Sequence, residues 1–400
     1  VRKLTDLRGE VIDEGLVLWF PGPKSFTGED LVEFQVHGGS AVLSALTVAL
    51  SGLGARPAEP GEFTRRAFEA GRLELSQAEA VADLVDAETD AQRRQALGQL
   101  GGALAVRNAA WREALLDASA FLGAQMDFPD DDLPEGLAER AMQPLARLAL
   151  EIDAALADVR GERVREGFRV ALIGAPNAGK SSLLNALIGR EAAIVTAIPG
   201  TTRDVIEAAL VIKGYKVVFA DTAGIREATD EVEIEGVRRA LAWAGDADLR
   251  LWLIDGSDKV ESPQASQLTR PGDIVVFTKS DRGRISLETC RNWSHALGLD
   301  AVSASVIDPD GLGELTQRLE ARVLEKLSGA EFPAVTRLRH RRLLRQAAEH
   351  LRRGLGRSIA DAELVAEDVR LAARSLEQLS GRLDPEAVLD RVFGSFCIGK

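Results

Sequence analysis

The sequence predicts a multidomain α and α/β chain. An α/β domain built on a phosphate-binding loop interrupts an all-helical domain, and a partial α+β domain stands in front. Three observations lead there. Residues 166–327 alternate short β-branched runs with helical stretches, the flanking stretches 71–165 and 328–400 read as helical without strands, and Gly174–Ser181 fits G-x-x-x-x-G-K-[ST] between a strand and a helix.

In chain order, residues 1–70 hold strand-like alternation broken by Pro21-Gly22-Pro23 and His37-Gly38-Gly39, with one apolar helix near 40–52. The chain opens on Val1 and runs at once into strand-like sequence at Val11–Phe20, so it reads as lacking its natural N-terminus. In 71–165, Ser76-Gln77-Ala78-Glu79 reads as a capping box, and Leu115, Leu116, Leu122 and Met126 recur further on at helical spacing. Phe128–Asp132 reads as a turn. The strands of 166–327 are expected at Arg169–Ile173, Val205–Ile212, Lys216–Ala220, Leu249–Ile254 and Ile274–Phe277, and helical pattern returns after Phe332-Pro333.

Four hundred residues, 46% hydrophobic and 28% charged, describe a globular protein of two or three domains. No apolar run approaches the roughly 18–20 residues that span a bilayer. The two cysteines, Cys290 and Cys397, are far apart and lack metal-ligand spacing, which suits a reduced, cytoplasmic setting. A net charge of −13 argues against a surface that coats nucleic acid indiscriminately, while leaving room for a local basic patch.

The phosphate loop explains its own residue types. Its glycines let backbone amides converge on phosphate oxygens, and the following helix adds positive potential at its N-terminus. Candidate nucleotide contacts are Asn177, Ala178, Gly179, Lys180, Ser181 and Ser182. Lys180 is expected to meet the β and γ phosphates, and the Ser181 hydroxyl to ligate Mg²⁺. Asp221-Thr222-Ala223-Gly224 ends a hydrophobic strand, where the carboxylate can reach Mg²⁺ through water and the glycine amide can sense a γ-phosphate. Upstream, Thr202 offers a hydroxyl that can complete the Mg²⁺ shell when a triphosphate is bound.

The base is read by Thr278-Lys279-Ser280-Asp281 and by Ser303-Ala304-Ser305. An ionised Asp281 only accepts, so it selects the two N–H donors of guanine's Watson–Crick edge. A backbone amide of 303–305 can meet the guanine carbonyl. Together these motifs define a P-loop GTPase domain of the Ras-like α/β type, hence a GTP hydrolase. Thr278 stands where many GTPases have Asn, which gives up one amide contact to the base. Ile225 follows the D-T-A-G motif and cannot orient water, so one of the acidic residues Glu227, Asp230, Glu231, Glu233 and Glu235 is the candidate to polarise it.

The run Pro176–Asn185, with Gly200-Thr201-Thr202-Arg203-Asp204 and Asp221–Arg226, resembles the Era-like bacterial GTPases. The insertion into a helical domain, Ser25–Asp30 with His37-Gly38-Gly39, and the terminal Phe396-Cys397-Ile398-Gly399-Lys400 narrow the resemblance to the MnmE (TrmE) family of tRNA modification GTPases, over essentially the whole chain. The resemblance implies hydrolysis stimulated by K⁺, held by the Asn177 side chain and by oxygens of Thr196, Ile198 and Thr201. The whole loop Thr196, Ala197, Ile198, Pro199, Gly200, Thr201 and Thr202 would then face the nucleotide, with Glu233 positioning water and two G domains meeting face to face.

It also implies a homodimer, a one-carbon tetrahydrofolate bound by the N-terminal domain through Glu33, Arg72 and Lys400, and an FAD-dependent partner, MnmG (GidA). Together these install an aminomethyl or carboxymethylaminomethyl group on the tRNA wobble uridine. Arg72 stands where the family usually has Lys. Two roles stay open for Cys397, a thiol in the modification chemistry or an inert residue in an apolar segment. The stretch Arg337–Arg357, with eight arginines, suits tRNA phosphate, a partner protein or a solvated helix face. The alternative function is an Era- or Der-like ribosome-assembly switch, and a nucleotide-binding scaffold without catalysis is disfavoured by intact Lys180, Ser181, Thr202 and Asp221.

Overall fold

The computed structural model describes residues 1–127, 137–190, 206–221, 242–257, 269–282, 298–329, 335–358 and 361–382, together with 288, 292, 295, 389–390, 392–394 and 396. The chain divides into two compact units, one of residues 1–86, 96–158 and 337–400, the other of 87–95 and 159–336. The expected turn at Phe128–Asp132, the Phe332-Pro333 break, Cys290 and Cys397–Lys400 lie outside the described residues.

The first unit opens with an antiparallel sheet, β1 (Arg2–Thr5), β2 (Val11–Phe20) and β3 (Leu31–Gln35), in that order. Helix α1 (Ser40–Gly52) follows where the apolar run predicts it, then α2 (Glu62–Glu69) and α3 (Leu75–Val85). The cap of α3 differs from expectation. Glu74, not Ser76, is the N-cap, and its backbone N–H donates to Gln77 Oε1 at 3.0 Å in a reciprocal capping box. Ser76 sits buried inside the helix, and Glu79 turns into the core instead of back to the helix start. The reason is tertiary: Glu79 meets the Arg339 guanidinium and the His340 ring there, and a carboxylate serving them cannot also cap.

After α4 (Asp90–Leu100), α5 (Ala103–Asp127) and α6 (Leu137–Ala157) form one half of a bundle. The C-terminal segment supplies the other half, two helices at Leu338–Leu355 and Ala362–Ser380 that pack on α6 and α5 respectively and on each other. Leu115, Ala118, Leu145, Leu344 and Leu376 are buried there. A separate cluster of Leu75, Ala78, Leu389, Phe393 and Phe396 closes the C-terminal end against α3. Its two phenylalanine rings lie 5.4 Å apart, within the range of attractive tilted packing.

In the second unit, α7 (Arg160–Glu166) leads into a six-stranded sheet of β4 (Phe168–Gly174), β5 (Ile206–Ile212), β6 (Tyr215–Asp221), β7 (Leu249–Asp255), β8 (Ile274–Thr278) and β9 (Asp300–Ser303). The order is β5-β6-β4-β7-β8-β9, parallel except for the β5–β6 hairpin. Parallel strands are buried on both faces, and the alternation shows it. Val170, Leu172, Val217, Phe219, Leu251 and Leu253 face one core, with α8 (Lys180–Arg190) and α9 (Gly313–Leu327). Ala171, Ile173, Trp252, Val275 and Phe277 face the other. The C-terminal ends of β4, β6, β7 and β8 therefore present Gly174, Asp221, Asp255 and Thr278 at one edge, where ligands of open α/β sheets bind. The two remaining helices, α10 (Leu338–Leu355) and α11 (Ala362–Ser380), are the C-terminal pair named above.

Candidate functional site: a nucleotide-binding edge

Gly174 leaves β4 at φ +150°, and an ideal Cβ there would lie 2.4 Å from the Leu253 carbonyl oxygen, so no side chain fits. Asn177 holds a left-handed conformation at φ +62°, with its side chain exposed at the loop tip. Lys180 is buried, and its ammonium donates to the carbonyls of Gly174 at 2.8 Å and Ala175 at 2.9 Å. This curls the loop around a cation aimed where phosphate would sit, at the positive N-terminal end of α8.

Ser181 Oγ donates to Asp221 Oδ2 at 2.6 Å, which brings the two expected Mg²⁺ groups together. Asp221 is 4% exposed and its Oδ1 has no hydrogen-bond partner among the described residues. A hydroxyl beside a buried carboxylate with an unused oxygen matches the hard-oxygen donor set of Mg²⁺. The described residues hold no cluster of three or more His, Cys, Asp or Glu suited to a metal. Thr196–Thr202, Thr222–Gly224 and Glu233 lie outside the described residues.

A cavity of about 190 Å³ opens beside the loop, lined in part by Gly179, Ser182, Thr278, Lys279, Asp281 and Val306. Asp281 follows β8 in a short 3₁₀ turn (Ser280–Arg282), and Ser305 Oγ donates to its Oδ1 at 3.0 Å. The Ser280 backbone N–H donates to the Ala304 carbonyl, tying the two base motifs together. Within Ser303–Ser305 the geometry is more specific than the motif. The Ala304 and Ser305 amides are already donated to the carbonyls of Phe277 at 2.8 Å and Gly311 at 3.0 Å, and Ala304, Val306 and Ile307 line the cavity. Ser303 ends β9 in register with Phe277.

Thr278 uses its hydroxyl internally. It lies 2.7 Å from the Ala178 carbonyl and 3.2 Å from that of Ile254, and with one proton it donates to the nearer. The threonine thus fastens the phosphate loop to β8. Beside it, Asp255 ends β7, pairs with Lys279 and accepts from the Ser257 amide and hydroxyl at 2.9 and 2.6 Å. Burial pushes the Asp255 carboxyl up, but these partners outweigh it and bring it down to about 2. Sequence reasoning passed over Asp255, although its signal was present: like Asp221, it closes a strand after a four-residue apolar run, Leu251–Ile254 as against Val217–Ala220.

In the first unit, Glu33 is exposed on β3 in register with Leu18, and Arg72 follows α2 with its side chain beside Gly28. Lys400 lies outside the described residues. The basic stretch is largely committed internally. Arg337 pairs with Asp83 at 2.6 Å, Arg339 with Glu79, Arg341 with the Leu156 carbonyl, Arg352 with Asp153, and Arg353 and Arg357 with Asp368. Arg342 and Arg345 face solvent. Most of this charge is therefore structural, which argues against the whole helix serving phosphate.

The loop, the Ser181–Asp221 pair and the Asp281 cavity on a mostly parallel sheet define a P-loop GTPase. The chain belongs to the MnmE (TrmE) family of tRNA modification GTPases: the family profile described as the MnmE helical domain matches residues 75–397, and that of the GTP-binding protein TrmE N-terminus matches residues 1–72. The tRNA modification GTPase MnmE of Phenylobacterium zucineum (strain HLK1) is 58% identical over 100% of this chain and 90% of its own length. The MnmE of Caulobacter vibrioides (strain ATCC 19089 / CIP 103742 / CB 15) is 58% identical over 98% of this chain and 88% of its own. That of Maricaulis maris (strain MCS10) is 51% identical over 100% and 90%. A helical-domain match of this extent displaces the Era- or Der-like alternative. Among the described residues no helix is long and apolar enough to cross a membrane.

Proposed function

We propose that this GTPase hydrolyses GTP with Mg²⁺ and K⁺ and, together with MnmG, installs an aminomethyl or carboxymethylaminomethyl group on the wobble uridine of certain tRNAs in the cytoplasm. The observation that carries the nucleotide part is the Ser181–Asp221 pair, with its unused buried oxygen, and the inward-held Lys180, on the same loop and helix whose Gly179 and Ser182 line the Asp281 cavity. Ser181 and Thr202 would hold Mg²⁺, which supplies charge neutralisation across the β and γ phosphates when bound. Lys180 holds the phosphates, Asp281 accepts from guanine, and the Val306 amide takes the guanine carbonyl that the amides of 304 and 305 cannot. Asn177, exposed beside the phosphates in a left-handed conformation, supports a K⁺ cage completed by Thr196, Ile198 and Thr201. A monovalent cation there stands in for an arginine finger. Glu233 positions water, and paired G domains complete the cage.

The family membership supports the remaining layout: residues 1–70 as a dimerisation and one-carbon tetrahydrofolate domain using Glu33, Arg72 and Lys400, 71–165 and 328–400 as the helical domain with Cys397 near its end, and 166–327 as the G domain. One experiment tests the cation reading directly. GTP turnover at equal ionic strength should be about a hundredfold or more faster in KCl than in NaCl, the scale of one lost transition-state contact. Equal rates would remove K⁺ from the mechanism.

A further inference from the structure

The TKSD segment is braced from behind by the turn that follows β7. Asp255 and Thr278 are register partners in the parallel β7–β8 pair. The Gly256 amide donates to the Thr278 carbonyl at 2.8 Å, and an ideal Cβ on Gly256 would lie 2.8 Å from that same oxygen, so the turn can approach only as glycine. Lys279 stands at φ +57°, a conformation lysine seldom adopts, and its ammonium meets Asp255 Oδ2. The other carboxylate oxygen is held by the Ser257 amide and hydroxyl. The lysine stem, anchored at both ends, is a wall of the base cavity.

We infer that Asp255, fixed by Ser257, is a positioning residue for guanine-nucleotide binding: it tethers Lys279 so that the base cavity is formed before the nucleotide arrives. The tether matters here because Thr278 spends its hydroxyl on Ala178 and offers the base no amide. A free lysine must be ordered on binding, and ordering so long a side chain weakens affinity by about ten- to thirtyfold. Asp255 meets that cost during folding. The inference rests on the guanine-pocket reading above and concerns affinity, not the chemical step.

The test uses the full chain carrying Asp255→Asn, which keeps the shape and one acceptor but removes the charge. Release of a fluorescent GDP analogue should quicken by about ten- to thirtyfold, and KM for GTP should rise in step, with kcat at saturating GTP within about twofold. Lys279→Met, which keeps most of the stem without the ammonium, should weaken binding similarly, and the double variant should be no weaker than Lys279→Met alone. Fully additive losses, or a kcat loss at unchanged KM, would overturn the inference. Ser257→Ala is the milder second variant and should move release in the same direction by a smaller factor; no change there also counts against the tether. Asp281→Asn separates the two readings. If it abolishes the preference for GTP over ATP while Asp255→Asn is silent, the pocket stands and the tether falls; if it too is silent, the pocket itself is misassigned.

Discussion

Glu79 offers the sharpest test of how the helical unit is held together. It is 2% exposed, and Arg339 grips it with Nε at 2.9 Å and Nη2 at 3.0 Å, while His340 Nε2 lies 2.7 Å away. His340 is itself 1% exposed, and its Nδ1 has no partner among the described residues. A proton on Nδ1 would be stranded, so the ring is the neutral Nε2–H tautomer donating to Glu79. Burial pulls the imidazole pKa down and wins over Glu79's pull in the other direction. For Glu79, burial pushes upward, but His340 and Arg339 together hold the carboxyl well below the usual range. Glu79→Ala would strand a largely buried guanidinium and a buried imidazole, as well as leave a void. Removing one partner of such a buried set costs about 3–5 kcal/mol. Urea unfolding of wild type and variant measures it, and a loss under about 1 kcal/mol would refute the reasoning, since that is the worth of an exposed pair. The pH dependence has a defined sign. A carboxyl lowered in the fold gives stability that is complete above its unfolded value near 4.5 and is lost as pH falls through the folded value. Glu79's own contribution to the gap between wild type and variant should therefore be complete above about pH 5 and shrink progressively as pH falls below that. His340 acts on both proteins: lowered from 6.5, it costs stability as pH drops below that value, because the unfolded ring takes a proton the buried one refuses.

Two further outcomes are expected in the nucleotide unit. Gly174→Ala drives a methyl to 2.4 Å from the Leu253 carbonyl oxygen, so calorimetry should show a loss on the order of 2–3 kcal/mol together with loss of nucleotide binding; an unshifted transition would mean the loop is not built as described. Thr278→Val keeps the shape but leaves the buried Ala178 carbonyl without its 2.7 Å donor, a cost of about 1–3 kcal/mol readable as a lower melting temperature and faster nucleotide release. If Thr278→Val proves neutral, the hydroxyl is not the fastener of the phosphate loop.

Much of this protein was legible along the chain because the information is local. The loop Gly174–Ser181 declares itself by residue type, and the strands from β4 to β8 read from apolar runs that differ from the observed bounds by a residue or so. What a local reading cannot supply has one cause. Ser76–Glu79 looks like a cap because sequence cannot show that Glu79 meets Arg339 and His340 some 260 residues away. At Ser303-Ala304-Ser305 the sequence likewise does not show that the Ala304 and Ser305 amides are donated to the Phe277 and Gly311 carbonyls.

By itself, then, the sequence determined the class of protein, a P-loop GTPase, through the phosphate-loop, D-T-A-G and T-K-S-D motifs and their order along the chain. The tertiary structure decided who partners whom. It spent most of the arginines of 337–357 on buried or half-buried acids and carbonyls, gave Thr278 to the phosphate loop and Asp255 to Lys279, and committed the Ala304 and Ser305 amides to backbone carbonyls. The physical reason is that backbone propensity and motif spacing act over a few residues. A charge or a hydroxyl, in contrast, has no preferred partner until folding brings one within hydrogen-bonding reach and removes the competing water.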